Sequence, residues 1–155
     1  MSMKRSSLIL LQAVVVFIGM GALGLMLWEP HIEGRNAHST LSQIYFHDPF
    51  LAFVYAASIP FFVALYQAFK IVSYVKQNKV FSQATLKALR TIKYCAVSII
   101  GFTVIGEIFI MLMDGDDRAG GVFIGALIIL SSILIAAVAT TFERTLHRKS
   151  LVQTD

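Results

Sequence analysis

The stretch VFIGALIILSSILIAAVATTF, Val122–Phe142, carries no charged side chain and is long enough, as a helix, to cross a hydrocarbon core, which takes about 20 residues. Three further apolar runs of that kind lie upstream of it, at Tyr94–Met113, Pro49–Val75 and Leu8–Trp28. A backbone inside lipid must satisfy its own hydrogen bonds, so runs of this length predict helices and an all-α, integral membrane four-helix bundle. Composition agrees with that reading. Of 155 residues, 57% are hydrophobic and only 14% are charged, and one soluble domain of this size has too little interior to hide so much apolar surface. Residues 1–155 read as a single transmembrane domain. Pro60, inside the second run, removes one backbone donor and predicts a bend there.

The first run follows Lys4 and Arg5, as a secretory signal would, but its apolar stretch is longer than the 7–15 residues of a signal, and no A-x-A cleavage site follows. It reads as a retained signal anchor. The net charge of +4 does not indicate nucleic acid, because the basic residues flank the apolar runs and form no contiguous stripe. The single cysteine, Cys95, excludes an intrachain disulfide and reads as a small buried hydrophobe.

Charge distribution sets the orientation. Lys4 and Arg5, then Lys70, Lys76, Lys79, Lys87, Arg90 and Lys93, then Arg144, Arg148 and Lys149 fall at one end of the four spans, and only Arg35 and Arg118 fall at the other. The positive-inside rule therefore predicts cytoplasmic N and C termini. Trp28, Tyr45 and Phe46 on the outer side, with Tyr74 and Tyr94 on the inner side, stand where interfacial aromatic anchors belong.

Three of the four histidines lie in the outer connection between Glu29 and Asp48. His31, His38, His47 and Asp48 form a candidate outer-loop site, since imidazole and carboxylate ligate divalent metals and histidine titrates near neutrality. Their spacing matches no compact metal signature, so no metal is assigned. Thr40 and Gln43 match a capping box and predict a short surface helix. The second outer connection, Asp114–Gly121, resembles the start of a calcium loop, but the twelfth position is Gly125 and not a glutamate; it reads as a tight acidic turn.

On the cytoplasmic side Ser82 is a good N-cap, and the residues after it, with Leu86, Leu89 and Ile92 on one side, predict a short amphipathic helix leading into the third span. Its lysines lie at the level of anionic headgroups.

The stretch Asn78-Lys79-Val80-Phe81-Ser82, continuing through Leu89-Arg90-Thr91-Ile92, resembles the signature of a bacterial membrane family, the domain of unknown function 2975. Its members share four predicted spans and a Phe-Ser followed by Leu-Arg-x-Ile after the second. The family pattern commonly has Gly just before this point and Asn where Thr85 stands. Such proteins are often encoded beside a small helix-turn-helix regulator, so the resemblance implies a regulatory or stress-linked role. It carries over no catalytic residue.

Glu107 is the acidic residue well inside a span, about 10 Å below its outer end. An ionisable group at that depth is a functional candidate by default. Thr103 lies on its helix face, and Gly21, Ser58, Ser131 and Ser132 lie at comparable depth, so Glu107, Thr103, Ser58, Ser131 and Ser132 form a candidate intramembrane polar layer. The preferred reading is a protonated glutamate hydrogen-bonded to hydroxyls as a helix clamp; the alternative is a proton or cation path. Gln67 is a second candidate for an interhelical hydrogen bond. Gly121 and Gly125 make a G-x-x-x-G, with Ser132, Ala136 and Thr140 continuing a small-residue stripe that favours close packing within the chain; Gly19, Gly21 and Gly24 do the same for the first helix.

The resulting expectation is a non-enzymatic small membrane protein, with no catalytic residues and no cofactor, in a regulatory, sensory or immunity-type role through protein partners or as a homo-oligomer. The alternative is a small oligomeric proton- or cation-coupled transporter or channel using Glu107.

Overall fold

The computed structural model describes residues 4–32, 40, 42–43, 49–112 and 118–152. Four long helices account for almost all of them: α1 Arg5–Ile32, α2 Pro49–Lys76, α3 Gln83–Leu112 and α4 Arg118–Val152. All four are long and apolar enough to cross a membrane. The helices outrun the apolar stretches that predict them. At 1.5 Å per residue, α3 is about 45 Å long and α4 about 52 Å, against a hydrocarbon core of about 30 Å. The excess of both helices lies at the basic end of the bundle, where α3 begins 11 residues before Tyr94 and α4 continues 10 residues past Phe142.

The helices pack in chain order, α1 on α2, α2 on α3 and α3 on α4. Each pair is antiparallel. Gln12 meets Ser73 while Tyr55 meets Met26; Phe53 meets Phe102; Glu107 meets Gly125 while Lys93 meets Glu143. Both ends of the described chain therefore lie at one end of the bundle, together with the basic residues from Lys70 to Lys93.

Most large side chains outside the seams are exposed, among them Phe17, Leu25, Leu112, Phe123 and Leu134. That is the expected surface of a bundle whose solvent is lipid. The best-buried core sits elsewhere, at the basic end: Leu86 and Leu89 of α3 pack with Leu146 of α4, and Ile71 and Val80 close the cluster. On α4 the buried positions are Gly125, Ser132, Ala139 and Leu146, a repeat of seven. A seven-residue repeat is the seam of two helices winding around each other, and small residues at three of its four positions let the backbones approach. Ala136 and Thr140, on the expected stripe with Ser132, are half-buried beside this seam, since a 3.5-residue period also brings positions three or four residues apart to the same face.

The connection from α2 to α3 is a tight, fully hydrogen-bonded turn. Asn78 adopts a left-handed conformation, φ 55°. Its N–H donates to the Val75 carbonyl at 3.1 Å, and the Lys79 N–H reaches back to the Tyr74 carbonyl at 2.8 Å, the two bonds of a Schellman cap. Ser82 then caps α3, its Oγ accepting from the Thr85 N–H at 3.3 Å. Thr85 is 1% exposed, and its hydroxyl donates to the Lys79 carbonyl at 3.0 Å, tying the two caps together. The amphipathic lead-in helix and the third span are thus one uninterrupted helix.

At the opposite end, the Thr40 N–H donates to Gln43 Oε1 at 3.1 Å, one half of the expected capping box. Arg118 to Gly121, expected in a turn, already belong to α4; there the bare Gly121 admits Ile110, whose Cδ1 lies 3.2 Å from where a β-carbon would stand. α2 runs through Pro60 without a break.

Candidate functional site

Glu107 projects from α3 into the seam with α4, at a level where α2 presents Phe53. Phe53 lies against Gly106 and meets Phe102 edge to face, with ring centroids 5.7 Å apart. Across the seam the Glu107 carboxyl occupies the space a side chain at Gly125 would need: its Cδ is 2.6 Å and its Cγ 3.1 Å from the position of a β-carbon there. Only glycine at 125 leaves room for this carboxyl, so the second glycine of the G-x-x-x-G serves a glutamate as well as a backbone approach.

Glu107 Oε1 is buried and has no hydrogen-bond partner among the described residues. The other members of the predicted layer do not supply one. Ser58 donates to the Tyr55 carbonyl, Thr103 to that of Ile99 and Ser131 to that of Leu127, each within its own helix. Ser131 faces outward, and Ser132, although buried, lies seven residues from Gly125, about 10 Å along the axis. Ser58 lies five residues deeper than Phe53, about 8 Å away along α2. The five residues therefore do not meet, and Ser131 lies outside the bundle interior. Hydroxyls in apolar helices find the carbonyl one turn back, and this local bond outcompetes a distant carboxyl.

The interhelical polar bonds are made elsewhere, by residues not singled out from the sequence. Gln12 of α1 donates from Nε2 to Ser73 Oγ of α2 at 2.7 Å and accepts at Oε1 from Lys76 Nζ. Tyr55 Oη donates to the Met26 carbonyl at 3.0 Å near the other end of the same pair. Gln12, and not Gln67, thus fastens α1 to α2. The signal for it was available: Gln12 is the lone polar side chain in the first half of the Leu8–Trp28 run. Of the glycines in α1, Gly19 faces α2, with Leu65 Cδ1 at 3.5 Å from its β-carbon position, whereas Gly21 and Gly24 face open space.

At the basic end, Glu143 of α4 binds two cations of α3. Arg90 Nε donates to its Oε1 at 3.0 Å and Lys93 Nζ to its Oε2 at 2.9 Å. The hydrogen bond from Lys93 chiefly holds the carboxyl below the usual carboxylate range; desolvation opposes it, and the hydrogen bond from Arg90 and the charges of both cations add to the lowering. Glu143 follows the last apolar residue of the fourth span, Phe142, and so lies at the headgroup level. Its sequence signal is its isolation, since Glu143 and Asp155 are the two acids in the basic segments.

The side chains of His31, His38, His47 and Asp48 lie outside the described residues, as does the turn at residues 114–117.

The stretch after α2 that resembles the family signature has a structural explanation. Asn78 takes the left-handed position that glycine fills most easily, Ser82 caps α3, and Thr85 bridges to Lys79. In this chain the signature builds a turn.

Comparison with known proteins agrees on the family. Residues 34–151 match the model of a protein family of unknown function, DUF2975. The chain is 37% identical, over 146 residues, to the uncharacterized membrane protein YoaS of Bacillus subtilis (strain 168), covering 93% of this chain and 91% of that protein. No solved structure matches. With four membrane-length helices, the Asn78–Ser82 turn and this coverage, the chain belongs to the DUF2975 family of membrane proteins.

Proposed function

We propose that this chain is a non-enzymatic multi-pass protein of the bacterial cytoplasmic membrane, with both termini and the Asn78–Ser82 turn in the cytoplasm, acting in a regulatory, sensory or immunity-type role through protein partners. The observation that carries this reading is the position of the core. The tightest packing, Leu86 and Leu89 with Leu146, lies where α3 and α4 run beyond their apolar stretches, and it is surrounded by exposed Lys87, Arg90, Arg144 and Arg148. A rigid, charged helical stem held at the membrane surface is a platform for another protein. The lysine and arginine bias supports a cytoplasmic position for that stem.

Two experiments test it. A reporter active only in the cytoplasm, fused after Val152, is expected to be active, and activity only of a periplasmic reporter would overturn the orientation. Affinity capture of the full chain from native membranes is expected to recover one protein at a constant ratio across detergents; repeated recovery of the chain alone would remove the partner reading.

A second reading, a small oligomeric proton- or cation-coupled transporter, is favoured by one observation, the buried and unpartnered Oε1 of Glu107. A carboxyl without a fixed partner is free to exchange a proton or take a cation. Proton flux in reconstituted vesicles that disappears in Glu107→Gln would establish it; equal flux in that variant would reject it.

A further inference from the structure

Beside the Arg90–Glu143–Lys93 bridge the two helices leave a cleft of about 700 Å³. One wall is a stripe of α3, with Gln83, Lys87, Arg90 and Tyr94 at helical spacing; the other is a stripe of α4, with Thr140, Glu143, Arg144 and His147. Tyr94 and Thr140 mark its apolar end, at the limit of the spans, and Gln83 and His147 its aqueous end. Four lysines and arginines, with Lys93 the fourth, face a single carboxylate.

We infer that this cleft binds an anionic phosphate group at the membrane surface, delivered by a phospholipid headgroup or by free phosphate. Three features point that way. Charge is the first: Glu143 neutralises only part of the cationic wall, and exposed Lys87 and Arg144 form no ion pair among the described residues. Preorganisation is the second. Glu143 anchors Arg90 through Nε and Lys93 through Nζ, so both cations are already immobilised, and the remaining guanidinium donors of Arg90 suit a phosphate oxygen. Position is the third, because the cleft opens at the level where the fourth span ends, which is the depth of lipid phosphates. Basic pockets between transmembrane helices take anionic headgroups for these reasons. The inference does not depend on a protein partner.

The full chain reconstituted in phosphatidylcholine nanodiscs, with and without phosphatidylglycerol, is the test system. Native mass spectrometry reads retained phosphatidylglycerol, and calorimetry with inorganic phosphate in the phosphatidylcholine discs reads the free anion. The double variant Lys87→Gln/Arg144→Gln removes two exposed cleft cations and leaves the Glu143 bridge intact. Arg148→Gln/Lys149→Gln removes the same charge from outside the cleft.

Wild-type binding of either probe is expected to weaken on the order of tenfold in the cleft variant and to change little in the other. Selective retention of phosphatidylglycerol identifies the lipid as the source, and selective binding of inorganic phosphate identifies the free anion. Equal weakening in both double variants, or binding of neither probe by the wild type, overturns the inference.

Discussion

The carboxyl group of Glu107 lies over the α-carbon of Gly125, so that the two residues share one side-chain volume across the α3–α4 seam. One carboxyl oxygen of a half-buried glutamate in an apolar helix, Oε1, is thereby buried without a hydrogen bond. An unsatisfied buried acceptor costs roughly 1–3 kcal/mol, so this seam is held by packing and not by its polar member.

That relationship predicts coupling between the two positions. Gly125→Ala should force the Glu107 carboxyl out of the seam, whereas Gly125→Ala in a Glu107→Ala background should be tolerated or stabilising. A double-mutant cycle from thermal unfolding in detergent is expected to give an interaction energy of about 0.5–3 kcal/mol. Additive effects would mean that the carboxyl does not occupy the glycine's space.

The turn between α2 and α3 predicts a graded series. Asn78→Gly should be neutral or stabilising, because glycine adopts the left-handed region without a β-carbon clash, while Asn78→Val should cost about 1–2 kcal/mol. Ser82→Ala should cost about 1 kcal/mol through the lost cap. Melting temperatures of the three variants check the order; a stable Asn78→Val protein would rule out the left-handed cap.

Glu143 predicts a pH dependence. Its folded-state carboxyl titrates below the ordinary range, so the stability it contributes is present above the unfolded carboxylate value and is lost as pH falls through the lower folded one. Unfolding followed from pH 7 downward should show wild-type stability falling in the acid range. Glu143→Gln should start lower and fall less. Parallel curves for the two proteins would show that the bridge to Lys93 and Arg90 does not hold the helices.

The Gln12 cluster predicts that Gln12→Leu loosens α1 from α2 by about 0.6 kcal/mol, the average for an interhelical hydrogen bond in a membrane. The effect is local: protease sensitivity near the amino terminus should rise while the unfolding of the α3–α4 pair is unchanged. Unchanged sensitivity would mean that Gly19 and Tyr55 suffice to hold α1.

Much of this molecule is written in its sequence. Four apolar runs are enough to specify four helices, because in lipid the backbone has no other hydrogen-bond partners. The segregation of lysine and arginine brought the basic segments to one end, and Ser82 announced its cap, since caps and charge bias are local features that neighbouring residues decide. Tertiary structure decided the rest. Depth along a helix drew attention to Glu107, but depth does not say which way a hydroxyl turns, and Ser58, Thr103 and Ser131 each found a carbonyl of their own helix. Which glycine would face the glutamate, that Gln12 and not Gln67 would join α1 to α2, and that Glu143 would gather Arg90 and Lys93 beside a cationic cleft all depend on the register between helices. Register is set by how whole seams interdigitate, a property of pairs of faces that no single stretch of sequence contains.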